Sequence, residues 1–192
     1  GSRSSWRSFC ASLANASSTK LLLPEIRLAP EFPFPSAFED IRDVLNAVLK
    51  TDKDIILSGD ASGAAIALAS ALDAPEAVRN RLQSIVLFSP WLDLSPESPL
   101  FLLKKVSDEI LSADCIKRCA DLYTYRSNLD NPSVSPMYAS ESALALLPPV
   151  FIQMGENEIL LPEVKRFVNR LYHAGSEYEL DVWENMMHLF QM

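Results

Sequence analysis

Asp54-Ile-Ile-Leu-Ser-Gly59-Asp-Ala61-Ser-Gly63-Ala-Ala65-Ile-Ala-Leu-Ala-Ser-Ala-Leu72 is the stretch on which the fold turns. Its first part, Asp54 to Ser58, is a short continuous apolar run of the kind a strand covered on both faces shows. Its last part, Ala64 to Leu72, is alanine-rich and reads as a helix. Between them lies a five-residue turn with glycine at both ends. A strand, a tight turn and a helix in that order are the context of the G-x-S-x-G nucleophile elbow, whose middle residue stands clear of the sheet on a strained backbone. The flanking glycines are expected to remove side chains that would clash there. Here the middle residue is Ala61, and a methyl group cannot attack a carbonyl. Ser62 is one place along, where its hydroxyl loses alignment with a base. Its backbone N–H is the better prospect, as one donor of an oxyanion hole.

The pattern continues on either side. Ser84 to Ser89 and Val150 to Met154 read as further buried strands, and Lys20 to Ile26 as another. Tyr178, Leu180 and Val182 alternate with Glu179 and Asp181, as nearer a sheet edge. Phe38, Ile41, Leu45 and Val48 recur at helical spacing, as do Val164, Phe167, Val168 and Leu171. Gly175 stands where a helix C-terminal cap is wanted. Strands alternating with helices predict an α/β fold, with a mostly parallel sheet and helices on both faces. One stretch breaks the alternation. After Ser89-Pro-Trp-Leu-Asp93 the chain runs through a helix expected over Ser107 to Thr124 and a proline-rich return, Asn131-Pro-Ser-Val-Ser-Pro136. That is too long for a simple crossover, and predicts a helical cap insertion over approximately 93–140. No repeat or linker divides the chain, so residues 1–192 read as a single domain.

Composition removes several function classes. The 192 residues contain only five glycines, and neither G-x-G-x-x-G nor G-x-x-x-x-G-K-[ST] can be spelled from them, which excludes dinucleotide and P-loop sites of those types. Seventeen basic against 25 acidic residues give a formal charge of −8, a poor match to nucleic acid. No apolar run approaches the ~18 residues of a membrane span, and no signal-peptide pattern opens the chain. Cys10, Cys115 and Cys119 are an odd set without a metal-ligand pattern, and fit idle thiols of a reducing, cytoplasmic setting. No metal or cofactor is expected.

Base and acid are sought downstream of the turn, in the chain order nucleophile, acid, histidine. Of the two histidines, His173 falls inside a helix. His188 follows the last strand in Asn185-Met-Met-His-Leu-Phe190, where a hydrolase base belongs. Carboxylates after the Val150–Met154 strand are Glu156, Glu158 and Glu163. Position alone favours either of the first two as the group that orients the histidine.

Several segments then resemble one family. Ile26-Arg-Leu-Ala-Pro-Glu-Phe-Pro-Phe-Pro-Ser-Ala-Phe-Glu-Asp40 is similar to the YRLAPEHPFPAAxED stretch of the hormone-sensitive-lipase-like carboxylesterases, an α/β-hydrolase group. Gly59-Asp60-Ala61-Ser62-Gly63 resembles that group's GDSAG elbow. Ser89-Pro-Trp-Leu-Asp-Leu-Ser95, Leu147-Pro-Pro-Val150 and Met187-His-Leu-Phe190 follow in the family's order. The resemblance implies a carboxylic ester hydrolase with Ala61 at the serine nucleophile's position, His188 as base and Glu158, rather than Glu156, as triad acid. It implies that the Ser62 N–H contributes to the oxyanion hole. It also implies an apolar pocket drawing on Trp91, Phe101, Leu102 and Tyr123, and a small ester or apolar molecule as partner. The family's HGGG oxyanion loop is absent, and the chain is expected to be a fragment truncated at both ends, prone to self-association through open sheet edges. With the nucleophile replaced it is expected to be inactive. The alternative is a hydrolase-like protein that binds a small molecule without turning it over.

Overall fold

Strands β1 (Ile55–Asp60), β2 (Leu82–Phe88), β3 (Val150–Gly155) and β4 (Tyr178–Trp183) form a parallel sheet in the order β1-β2-β3-β4. Helices α1 (Arg3–Ser17), α2 (Ser36–Val48), α3 (Ala61–Asp73), α4 (Glu76–Arg79), α5 (Ala113–Tyr123), α6 (Glu141–Leu144) and α7 (Leu161–Ala174) accompany it, with short 3-10 turns at Arg126–Asn128 and Pro136–Tyr138. The computed structural model describes residues 3–48, 50, 54–98 and 108–192. Gly1, Phe101, Leu102 and part of the expected cap insertion lie outside the described residues. Among those described, no helix is long and apolar enough to cross a membrane.

The register shows how the sheet is covered. Ile85 pairs with Val150 and Leu87 with Ile152, so these four share one face, and all are buried. Their partners are Leu68 from α3 and Val164, Phe167 and Leu171 from α7. Five alanines of α3 (Ala64, Ala65, Ala67, Ala69, Ala71) are buried, and side chains that small let the helix axis approach the strands closely. The opposite face carries Val86, Phe151 and Gln153, which are half-buried, and Phe88, met edge-on by Phe9 of α1 at 5.7 Å between ring centroids. Ile56 of β1 is 57% exposed on that side. The run from Asp54 to Ser58, expected to be covered on both faces, is therefore covered on one. A short apolar run has no periodicity that distinguishes the two cases.

Two further expectations shift. Residues 20–26 form no strand: Pro24 has no N–H to give a ladder and Leu22 stays exposed. The segment is tied down just beyond, where the Arg27 backbone N–H donates to Asp40 Oδ2 at 2.7 Å and its Nε to Asp40 Oδ1 at 2.9 Å. Helix α5 begins at Ala113, well after Ser107, because two earlier side chains claim the local amides. Asp108 Oδ1 accepts from Ile110 and Leu111, and the Ser112 hydroxyl caps the helix by accepting from Cys115. Elsewhere the periodicities hold. α2 buries Phe38 and Leu45, and α7 ends at Gly175 in the left-handed region with φ +73°. Arg170 of α7 donates to the carbonyls of Met137 and Ala139, fastening the β2–β3 connection to the helix layer.

Candidate active site

A parallel sheet brings the carboxyl ends of all its strands to one edge, and each of these strands is followed there by a chemically distinctive loop. After β1 comes the elbow. Ala61 has φ +45°, in the left-handed region where any side chain is strained. The turn is tight enough that a Cβ on Gly59 would lie 2.5 Å from the Gly63 carbonyl and 2.7 Å from the Ala64 nitrogen. Glycine is thus required at 59. At Gly63 a Cβ would meet only Asp60 Oδ1 at 3.6 Å, an ordinary contact, so the second glycine is not required in the same way. The Ala61 carbonyl accepts from Trp91 N–H at 3.1 Å, which ties the elbow to the loop after β2. Ser62, the second residue of α3, is exposed, and its N–H is among the four that a helix itself leaves without an acceptor. Asp60 is half-buried, and burial pushes its carboxyl pKa up, its own backbone N–H pulling it back more than the His188 ring does.

The loops after β3 and β4 meet in a carboxylate–imidazole pair. His188 Nδ1 lies 2.9 Å from Glu158 Oε2, with the two residues 5% and 2% exposed. Glu158 Oε1 accepts from the Gly155 N–H at 2.5 Å and from the Ser89 hydroxyl at 2.7 Å. Two backbone bonds knit the loops together, Glu156 N–H to the Trp183 carbonyl at 2.9 Å and Asn157 N–H to the Met186 carbonyl at 3.0 Å. The approach leaves no room for a side chain on Gly155, whose Cβ would run into the Met186 carbonyl. With Nδ1 committed to Glu158, Nε2 is the ring nitrogen left for proton transfer. The arrangement can hold an imidazole in one tautomer and stabilise its protonated form.

The carboxylates that sequence position left open have different surroundings. Glu158 bonds to His188. Glu156 is exposed, and its Oε2 accepts from the Asn185 N–H at 3.1 Å. Glu163 is 0% exposed and serves a different loop, accepting from Leu92 N–H at 2.8 Å and the Ser98 hydroxyl at 2.9 Å. Burial pushes its pKa up to about 8, against those two hydrogen bonds and together with the charge of Asp93. Asp93, also buried, accepts from the Ser95 N–H and hydroxyl and lies 3.6 Å from Arg166.

Of the expected pocket residues, Trp91 is buried in the core with its Nε1 donating to the Asp93 carbonyl at 3.1 Å. Tyr123 is half-buried against the Phe34 ring, 6.0 Å away, and burial pushes its phenol up to about 12. Phe101 and Leu102 lie outside the described residues. His173 sits in α7 beside Tyr172, and plays no part in the pair. Among the described residues no cluster of three or more His, Cys, Asp or Glu could hold a metal. One contributor, Ser89, went unnoticed as a site residue in the sequence, and Glu163, weighed there as an acid, serves another loop. Ser89 and Glu163 reach their partners across 69 and 71 residues, and only the left-handed backbone of Ser89 (φ +46°) marks it locally. Ala61, Ser89, Asn185 and Leu189 are four of the five non-glycine residues with positive φ among those described, and all belong to this edge.

Known proteins share this architecture. An esterase of Acinetobacter venetianus is 33% identical over 196 residues, an alignment that covers 100% of this chain and 64% of the relative. An acetyl-hydrolase of Streptomyces hygroscopicus is 28% identical over 193 residues, covering 99% of this chain and 64% of its own. An esterase structure from the bacterial hormone-sensitive lipase family superposes with a TM-score of 0.87 at 30% identity, over 99% of this chain and 64% of the other. Carboxyl esterase 2 of Tuber melanosporum has the same fold, with a TM-score of 0.90 at 22% identity over 100% of this chain and 66% of that one. The chain thus spans about 64% of the length of the curated relatives it matches. A family model described as alpha/beta hydrolase fold matches residues 1–192, the whole sequence. By that match, the chain belongs to the alpha/beta hydrolase fold family.

Proposed function

We propose that the protein is of the carboxylic ester hydrolase type, and that Ala61 leaves the present chain without the nucleophile the reaction needs. The observation that carries this reading is the buried Glu158–His188 pair, 2.9 Å apart, on the sheet edge that also presents the strained elbow at Ala61. With serine at position 61, His188 Nε2 would take the hydroxyl proton as the oxygen attacks the ester carbonyl. The Ser62 N–H would donate to the developing oxyanion. The proton would pass from His188 to the leaving alcohol, and water would then release the acid by the same route. Glu158 fixes the ring and stabilises its charged form throughout. On this reading the acyl or alcohol group would meet an apolar wall to which Tyr123, half-buried beside Phe34, is the described contributor among the expected pocket residues. The free thiols of Cys10, Cys115 and Cys119 favour a cytoplasmic setting.

The test is Ala61→Ser, assayed with short-chain nitrophenyl esters against the alanine protein. Hydrolysis by the serine variant alone supports the reading. No hydrolysis from a folded serine variant overturns it. One observation favours a second reading, a binding protein without turnover: Ala61 itself, in a site otherwise set up for proton transfer. Saturable binding of a short-chain ester to both proteins, with hydrolysis by neither, would decide for that reading.

A further inference from the structure

Ser89 is a buried residue that the proposed reaction does not require as nucleophile, base, acid or oxyanion donor. It nevertheless touches two of the three loops that carry the chemistry. Its hydroxyl donates to Glu158 Oε1 at 2.7 Å, and the same oxygen accepts from the Leu189 N–H at 3.2 Å. Leu189 is the residue after His188. One hydroxyl therefore holds the carboxylate that orients the imidazole and the backbone that carries the imidazole. Its own N–H donates to the Gln153 carbonyl at 2.8 Å, which anchors it to strand β3.

The backbone adds a second, independent observation. Ser89 has φ +46° and is 0% exposed. Glycine takes up that conformation without strain. A serine there bears a backbone cost for its side chain, and the side chain's described bonds both go to the catalytic loops. We infer that Ser89 is a positioning residue, a hydroxyl clasp that sets the Glu158 carboxylate against the His188 ring and fixes the histidine loop beneath it. Without it, Glu158 Oε1 keeps the Gly155 N–H, and Oε2 is free to rotate away from Nδ1. The Leu189 amide is then left without this acceptor in a half-buried position.

Ser89→Gly tests this cleanly, because it removes the hydroxyl while relieving the backbone. The first readout needs no turnover, so it stands apart from the ester-hydrolase reading. In the chain with Ala61, the downfield imidazole Nδ1–H proton signal of His188 is expected to be sharp, and in Ser89→Gly to broaden or vanish through solvent exchange, with the amide spectrum otherwise folded. Ser89→Cys, which retains a side-chain donor, is expected to recover part of the signal. The second readout rests on the ester-hydrolase reading. In an Ala61→Ser background, Ser89→Gly should lower kcat about tenfold or more, the scale of one buried hydrogen bond to a charged group, with KM little changed. An unaltered Nδ1–H signal in folded Ser89→Gly overturns the inference, and so does an unaltered kcat. If Ser89→Gly does not fold, Ser89→Cys and Ser89→Ala decide: equal signals in the two overturn the clasp. If Ala61→Ser has no activity, the esterase reading fails while the Ala61 spectra still judge Ser89.

Discussion

Glu163 lets the pH dependence of folding be worked out in advance. In the folded chain its carboxyl is fully buried and keeps its proton up to about 8. In the unfolded chain it titrates near the ordinary value of 4.5. Between those limits the folded state binds one proton more, so its contribution to stability is fully present below the unfolded value. It is then lost as pH rises through the folded one. The slope approaches about 1.4 kcal/mol per pH unit, and the window between 4.5 and about 8 brings the whole effect to about 5 kcal/mol. Glu163→Gln removes the titration and keeps a side chain of the same shape, able to accept from Leu92 N–H. Urea unfolding of both proteins from pH ~5 to ~8 should show the parent losing more stability toward the alkaline end than the variant, the gap between them growing with pH. Asp60, whose pKa is also raised by burial, gives both proteins the same trend and cancels in the difference. Parallel curves would refute the reasoning, since they would mean that Glu163 folds with its charge.

Other substitutions probe the same framework. Ala61→Gly should stabilise the chain by about 1 kcal/mol, because φ +45° strains alanine and suits glycine; a denaturant midpoint at or below the parent's would show that the elbow stores no such strain. Gly155→Ala should destabilise by ~1–3 kcal/mol, since its Cβ meets the Met186 carbonyl and must push the histidine loop away. An unchanged urea midpoint would count against that close approach. Arg27 holds the Asp40 carboxyl below its usual range, so the pair stabilises the fold at neutral pH and the effect is lost as pH falls through the lowered value. Asp40→Asn should accordingly melt lower than the parent at neutral pH, with the gap closing in acid, and a gap constant with pH would exclude the ion pair as its cause.

The parts of the molecule that local chemistry dictates could be read in advance. Gly59 was legible because only a residue without a side chain fits a turn that close. α7 was legible from Val164, Phe167 and Leu171 at helical spacing and from Gly175 in the left-handed region. Glu158 could be singled out from Glu156 only through a family resemblance, because both stand in the same short loop and differ in what the β2 and β4 loops bring to them. The partners of Ser89 and Glu163 were illegible for the same reason at longer range: nothing near a residue in sequence says what will face it from another strand's loop. The expected strand over 20–26 failed on Pro24, a donor missing where a ladder needs one. Ile56 failed because an apolar run does not say how many neighbours will cover it.

The close approach of Gly59 to Gly63 and Ala64 has a bearing on how such a site can change over time. The left-handed turn at position 61 is imposed by the backbone around it, and the same conformation persists with a methyl group there. A change of side chain at position 61 thus meets a turn that its neighbours already enforce, and the Glu158–His188 pair is held by contacts of its own. Under the proposed function, gain and loss of the nucleophile are one mutation apart in either direction.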